Sequence, residues 1–352
     1  MTAPSQSGMA IRHLALLTPG NYADDDPAAG LEATLKLFEL GEELGFDSAW
    51  VRQRHLERGV SSAATFLAAA SQRTRRIGLG TAVIQLGYEN VFRLAEDLAT
   101  VDLLSGGRLQ VGLSAGPPPY GALLGERIFD ADPAQIDFSY QRVARLRNNL
   151  AGDWLSADTI VTSAAGSQRA RIRPYAPGLS QRLWYGGGSQ ASAQWAGEAG
   201  LHLLLGNVTR SEGSTDFLVT QGLQLDRYLA AWNTSLQPAA PRVALGRVIV
   251  PTDSADAASR ARIEAWAAMR VERTRTPQGP RQTMFLPDLV GPAETIVGRL
   301  LADPLVARVS ELRLELPYDF PEQDYAQILG DAVRLVAPRL GWRPNRHHWE
   351  GA

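Results

Sequence analysis

Two stretches of this chain hold residue types that do chemistry. Residues 183–200 read LWYGGGSQASAQWAGEAG, an apolar run that passes through three glycines into a helical pattern. Gly187 and Gly188 let backbone N–H groups approach an anion closely. Ser189 stands at a helix N-cap and Ser192 lies one turn in, where the helix dipole is positive. Gly186, Gly188 and Ala191 also satisfy G-x-G-x-x-[G/A], the dinucleotide-binding turn. That turn needs an acidic residue about 20 positions on for the ribose. The next apolar run ends Leu203-Leu204-Leu205-Gly206-Asn207, without a carboxylate. A phosphate cradle and a plain glycine turn with a serine cap both remain.

The second stretch, WVRQRHLERGVSS at residues 50–62, begins as a strand and passes into a loop. Arg52, Arg54 and His55 fall at its end, where an imidazole moves protons near neutrality and a guanidinium holds an anion. A third segment, residues 77–119, ends a strand at Ser114-Ala115-Gly116, small residues that leave room for a flat ring. Its Arg93, Glu96 and Asp97 read as charges on the outside of a helix. Glu315 is an acid placed to face a barrel interior, where Arg313 or another arginine would pair with it. His347 and His348 sit in a polar tail. No metal-ligand cluster, nucleophile elbow or Walker A motif occurs, which disfavours hydrolysis and phosphoryl transfer.

These residues hang on a regular alternation. Apolar β-like runs fall at 12–17, 48–52, 77–84, 109–114, 182–185, 201–205, 242–250 and 311–316. Helical patterns fill 31–44, 63–74, 92–104, 136–150, 190–199, 215–233, 255–273 and 293–301, with a last one at 323–340. Eight strands each followed by a helix predict a (β/α)8 barrel, with an open doubly wound sheet as the rival. Gly45 and Gly106-Gly107 supply C-caps. Two segments, 151–181 and 274–292, interrupt the alternation; the second holds Met284-Phe285-Leu286 and could cover a pocket. Residues 1–10 read as a disordered leader, 11–340 as one barrel domain and 341–352 as a tail.

The 352 residues are 45% hydrophobic, enough for a large core, and the formal charge of -2 disfavours nucleic acid and anionic membranes as partners. Cysteine is absent, which excludes disulfides and thiolate chemistry and fits a reducing cytosol. The start lacks the pattern of a secretory signal, so a soluble cytoplasmic protein is expected.

Four motifs in order resemble the bacterial-luciferase-like flavin monooxygenases. They are GFDSAWVRQRHLERGVSSAATFLAAASQRTRRIGLGTAVIQL, RLAEDLATVDLLSGGRLQVGLSAG, LWYGGGSQASAQWAGEAGLHLLLGN and LVGPAETIVGRLLADPLVARVSELRLELPYDF. The resemblance implies a (β/α)8 barrel with a flavin at the C-terminal ends of its strands. It assigns Gly187, Gly188, Ser189 and Ser192 to the flavin phosphate, Ser114 to the flavin site, and a non-proline cis peptide to Ala82–Val83 beneath the ring. It also implies reduced FMN supplied by a flavin reductase, O2 and a small organic substrate, and a homodimer. The serine-rich loop favours FMN over the deazaflavin F420, which would instead make the protein a hydride-transfer oxidoreductase; a flavin-binding barrel without turnover is a third reading. Two departures set the chain apart from the luciferases proper. Their Glu-His-His triplet is Gln53-Arg54-His55 here, so their catalytic histidine aligns with Arg54, and His55 and Arg54 become the candidate catalytic pair. Their fourth-strand phosphate arginine aligns with Ala115.

Overall fold

The computed structural model describes residues 11–130 and 132–344; the expected leader and the tail residues His347 and His348 lie outside the described residues. Eight parallel strands close a barrel in the order β1-β8-β7-β6-β5-β4-β3-β2. They are β1 His13–Thr18, β2 Ser48–Val51, β3 Gly78–Gln85, β4 Leu109–Ser114, β5 Leu183–Gly186, β6 His202–Leu205, β7 Val243–Arg247 and β8 Glu311–Glu315. Among the described residues nine longer helices surround the barrel: α1 Pro27–Leu44, α2 Ala63–Arg73, α3 Val91–Leu104, α4 Gln141–Ala151, α5 Gln190–Glu198, α6 Phe217–Ala230, α7 Ala257–Arg270, α8 Ala293–Ala302 and α9 Glu322–Asp331. The (β/α)8 expectation holds, and the doubly wound sheet is excluded by closure.

Alternation along the strands sorts side chains between two cores. Outward residues such as Leu14, Leu16, Leu79 and Leu203 pack under the helices, in a core that also takes in Phe38, Leu67 and Ile328. Inward residues Ala15, Leu17, Trp50, Trp184, Leu204 and Ala244 fill the lumen, with Ala82 and Val83 against them. The two indoles meet edge to face, 5.6 Å between centroids at 90°. Each buried N–H is satisfied: Trp50 donates to Ser48 Oγ at 2.8 Å and Trp184 to Gln110 Oε1 at 2.9 Å. Room for Trp50 comes from Gly80, where an added Cβ would lie 2.1 Å from the ring.

The SGGRLQVGL turn has a structural use. Gly106 and Gly107 take φ of 69° and 84° at the end of α3, a region that favours glycine. The Arg108 guanidinium then donates to the carbonyls of Ser71, Thr74 and Ile77, tying α2 to the foot of β3. Beside it Asp102 takes a bidentate pair from Arg182 at 2.7 and 2.8 Å, joining α3 to β5.

Several boundaries differ from expectation. The run 242–250 breaks at Val248: residues 243–247 stay in the barrel, while Ile249–Pro251 pairs with Leu289–Gly291 in a separate two-stranded sheet. The expected helix 323–340 is α-helical only to Asp331; a wider turn follows at 332–336 and a tight one at 337–340, where Pro338 lacks an N–H. Packing runs past residue 340, since Trp342 is buried and its indole donates to Asp47. The first insertion forms an exposed hairpin, Ile160–Ser163 with Gly166–Arg169. The second returns to the barrel mouth, where Thr283–Phe285 pairs antiparallel with Val208–Arg210 beyond β6. Among the described residues no helix is long and apolar enough to cross a membrane.

Gly80→Ala tests the lumen packing. The added methyl must displace the Trp50 ring, so unfolding in urea should show a loss of about 3 kcal/mol; a loss below about 0.5 kcal/mol would mean that the indole has room to move.

Candidate active site

Every barrel strand ends on the same face, and two neighbouring cavities lie there on either side of the 208–210/283–285 strand pair. The first, about 420 Å3, is lined by Ser114, Gly188, Ser189, Ser192, Arg210 and Arg281, with the Tyr185 ring beside them. Gly188 is exposed, and a Cβ built there meets nothing within 4 Å, so this side of the loop is open. Gly187 is placed otherwise. Its N–H donates to Leu204 O at 3.1 Å as a continuation of the barrel ladder, and its Cβ position faces Leu203. Gly187 therefore supports the loop from behind and does not line the cavity.

The helix end at α5 is more fully capped than its sequence indicates. Ser192 N–H donates to Ser189 Oγ at 3.2 Å, and Ser189 N–H donates to Ser192 Oγ at 3.1 Å, a reciprocal capping box. The Gln190 N–H donates to the Glu212 carboxylate at 2.6 Å. Three amides that the sequence offers to an anion are thus engaged. The positive charge comes instead from two guanidiniums that sequence reading missed. Arg210 and Arg281 are exposed at the cavity wall, and among the described residues neither has a hydrogen bond or an ion pair from its side chain. Ala115, the residue aligned with the luciferases' phosphate arginine, donates its N–H to the Tyr185 hydroxyl at 3.1 Å. Burial pushes that phenol up to about 12, so it stays protonated.

The Ala82–Val83 peptide is cis, as the resemblance implies. Both side chains pack on the Trp50–Trp184 layer, and Val83 Cγ1 lies 3.2 Å from the Cβ position of Gly186. They form an apolar ledge between the lumen and the loop of Gly188.

Residues 11–302 match the family model described as luciferase-like monooxygenase. The chain belongs to that family. It is 37% identical over 107 residues to 4-hydroxyprotoasukamycin monooxygenase of Streptomyces nodosus subsp. asukaensis, covering 30% of this chain and 29% of that protein. The chain thus spans under a third of the length of that curated relative. Among solved structures, the oxygenating constituent of 3,6-diketocamphane monooxygenase from Pseudomonas putida, in complex with FMN, superposes with a TM-score of 0.66 at 14% identity, over 93% of this chain and 98% of that one. A coenzyme F420 dependent tetrahydromethanopterin reductase from Methanopyrus kandleri reaches 0.60 at 15% identity, over 94% and 99%. At these identities the likeness is one of fold.

In this luciferase-like chain the expected catalytic pair does not stand together. Arg54 turns to the second cavity, about 230 Å3, with Arg52 and Glu315. His55 instead stacks on Tyr88, 3.9 Å between centroids and 22° between planes. Glu315 pairs with Arg52 at 2.7 Å rather than with its own strand neighbour Arg313. Burial pushes the Glu315 carboxyl up, but Arg52 and Arg313 together hold it below the ordinary range. Arg93 reaches Glu96 and Asp97 on the outside of α3, as its sequence indicates.

Gln53, ahead of the pair, decides the protonation of His55. Its Oε1 accepts from the Ala63 N–H at 3.0 Å, which fixes the amide orientation. Its Nε2 then donates to Glu89 Oε1 at 2.8 Å and lies 3.0 Å from His55 Nε2. His55 Nε2 must accept, so the ring carries its proton on Nδ1. Burial also lowers the His55 pKa from 6.5, so the ring is neutral at pH 7. The sequence signal was present, a buried polar glutamine directly before the arginine, but its partners lie on other elements.

Nitrogen-15 NMR of histidine-labelled protein checks this. His55 should show a protonated Nδ1 and a bare Nε2 at pH 7, with a titration midpoint below 6.5. A protonated Nε2, or a midpoint above that value, would contradict the assigned geometry.

Proposed function

We propose that the chain is an FMN-dependent oxidoreductase of the two-component monooxygenase type. Reduced FMN from a separate flavin reductase would enter the 420 Å3 cavity, with O2 and a small organic substrate as co-reactants. The observation that carries this reading is the pair of unengaged guanidiniums, Arg210 and Arg281, facing the open side of Gly188. A phosphate dianion at that loop meets two bidentate donors and the Ser189 hydroxyl, which can turn from its bond to Ser192. The small residues Ser114, Ala115 and Gly116 continue the cavity as a slot for a flat ring. The residues present therefore fit a mononucleotide.

When bound, the flavin supplies the oxygen-activating redox chemistry. The rest falls to this chain. Arg210 and Arg281 hold the phosphate, and the Ala82–Val83 ledge bounds the ring side. The strand pair across the mouth shields the site, because reactive species survive only where water is excluded. His55 keeps an Nδ1–H to donate, with Nε2 held by Gln53. A homodimer in the cytoplasm belongs to the same reading.

Fluorescence titration with FMN and with F420 tests the proposal. Arg210→Ala with Arg281→Ala should weaken FMN binding roughly a hundredfold, two lost charge-assisted contacts, and leave the melting temperature unchanged. Ser189→Ala with Ser192→Ala is a less clean probe, because it also removes the α5 cap at a cost of about 1 kcal/mol. Wild-type protein that binds F420 but not FMN would make this a hydride-transfer enzyme, and binding of neither would sink the reading.

A further inference from the structure

The second cavity holds an excess of positive charge that its own carboxylates do not answer. Arg52, Arg54, Arg270 and Arg273 all line it, and among the described residues Glu315 is the single acid in its wall. Arg270 is engaged by Asp288 at 2.5 and 3.1 Å, and Arg52 by Glu315 at 2.7 Å. The other two are loosely served. Arg273 reaches Asp288 only at 3.9 Å, and Arg54 reaches the half-exposed Glu57 only at 3.8 Å. Behind Glu315 stands Arg313, buried over the Trp50 ring at 5.5 Å, with Nε and Nη1 lacking any acceptor. Burial brings its pKa down to about 10, so it keeps its charge at neutral pH.

The unmade hydrogen bonds concentrate on this cavity. Nε of Arg52, Arg54 and Arg273 are buried without an acceptor. Buried donors and charges without partners are costly, and a cluster of them marks a place where a ligand completes the set. The remaining wall is apolar and aromatic: Val208, Val248, Leu316 and Pro317 with Phe285 and Tyr318. Arg273 lies over Phe285 at 4.4 Å, and that contact holds the guanidinium at the cavity edge.

We propose that this cavity is the substrate site and takes a small organic carboxylate, with the anionic group on Arg54 and Arg273 and the apolar body against Phe285 and Tyr318. The assignment as substrate site rests on the flavin reading above; the preference for a carboxylate rests on the arginines alone. A planar carboxylate matches the fork of a guanidinium, and a neutral amide of the same shape would leave the charge excess standing. The cavity adjoins the phosphate cradle through Val208, which lines both.

Isothermal titration of the full-length protein with benzoate, benzamide and inorganic phosphate tests the proposal, with and without saturating FMN. Benzoate should bind at least tenfold more tightly than benzamide, and inorganic phosphate should not displace it. Arg273→Gln should weaken benzoate at least tenfold, Arg273→Lys should restore part of the loss, and neither should change FMN binding or the melting temperature. Equal binding of benzoate and benzamide, no benzoate binding, displacement by phosphate or by FMN, or an Arg273→Gln variant with wild-type affinity would each overturn it. Loss of FMN binding with benzoate selectivity intact would refute the flavin reading and leave the carboxylate site standing.

Discussion

Three residue pairs, Thr283 with Arg210, Met284 with Thr209 and Phe285 with Val208, organise the whole mouth of this barrel. They draw the late insertion from beyond α7 back over the strand ends and pin it to the segment after β6. Met284 is buried at the centre of the pairing, which anchors so short a ladder by side-chain packing as well as by hydrogen bonds. The pairing puts Arg210 and Arg281 on the side of the glycine loop and Phe285 with Arg273 on the other. Without it neither cavity would have its second wall.

Beneath the mouth, the Trp50–Trp184 layer closes the lumen and makes a dry floor. Two ion pairs flank it. Arg52 meets Glu315 above the tryptophans, and Arg242 meets Glu311 at 2.6 Å below them. A low-dielectric floor strengthens each charge above it.

The barrel was legible because parallel strands and their covering helices write long periodic runs, and every barrel strand lies within two residues of its expected bounds except at Val248. The three-residue strands at the mouth write no period at all, and their pairing is decided by contacts some seventy residues apart in sequence. The expected cradle was read from local chemistry, which finds Gly188, Ser189 and Ser192 but does not separate Gly188 from Gly187. That distinction depends on Leu204, a residue of the neighbouring strand. Arg210 and Arg281 carried no signal, since an exposed arginine in a loop is ordinary. Glu212 at the end of α5 was equally silent. The resemblance gave the family and the cis peptide at Ala82–Val83; the split between Arg54 and His55 depends on neighbours from other elements, the cavity wall of Glu315 for one and the Tyr88 ring for the other.

The central claim is that the phosphate of a mononucleotide sits between Gly188 and the two free guanidiniums. A crystal structure of the full chain grown with FMN addresses it most directly. The account predicts phosphate density within hydrogen-bond reach of Ser189 Oγ, Arg210 and Arg281, with the ring against Ala82 and Val83. Phosphate density among Arg52, Arg54 and Arg273 instead would contradict it.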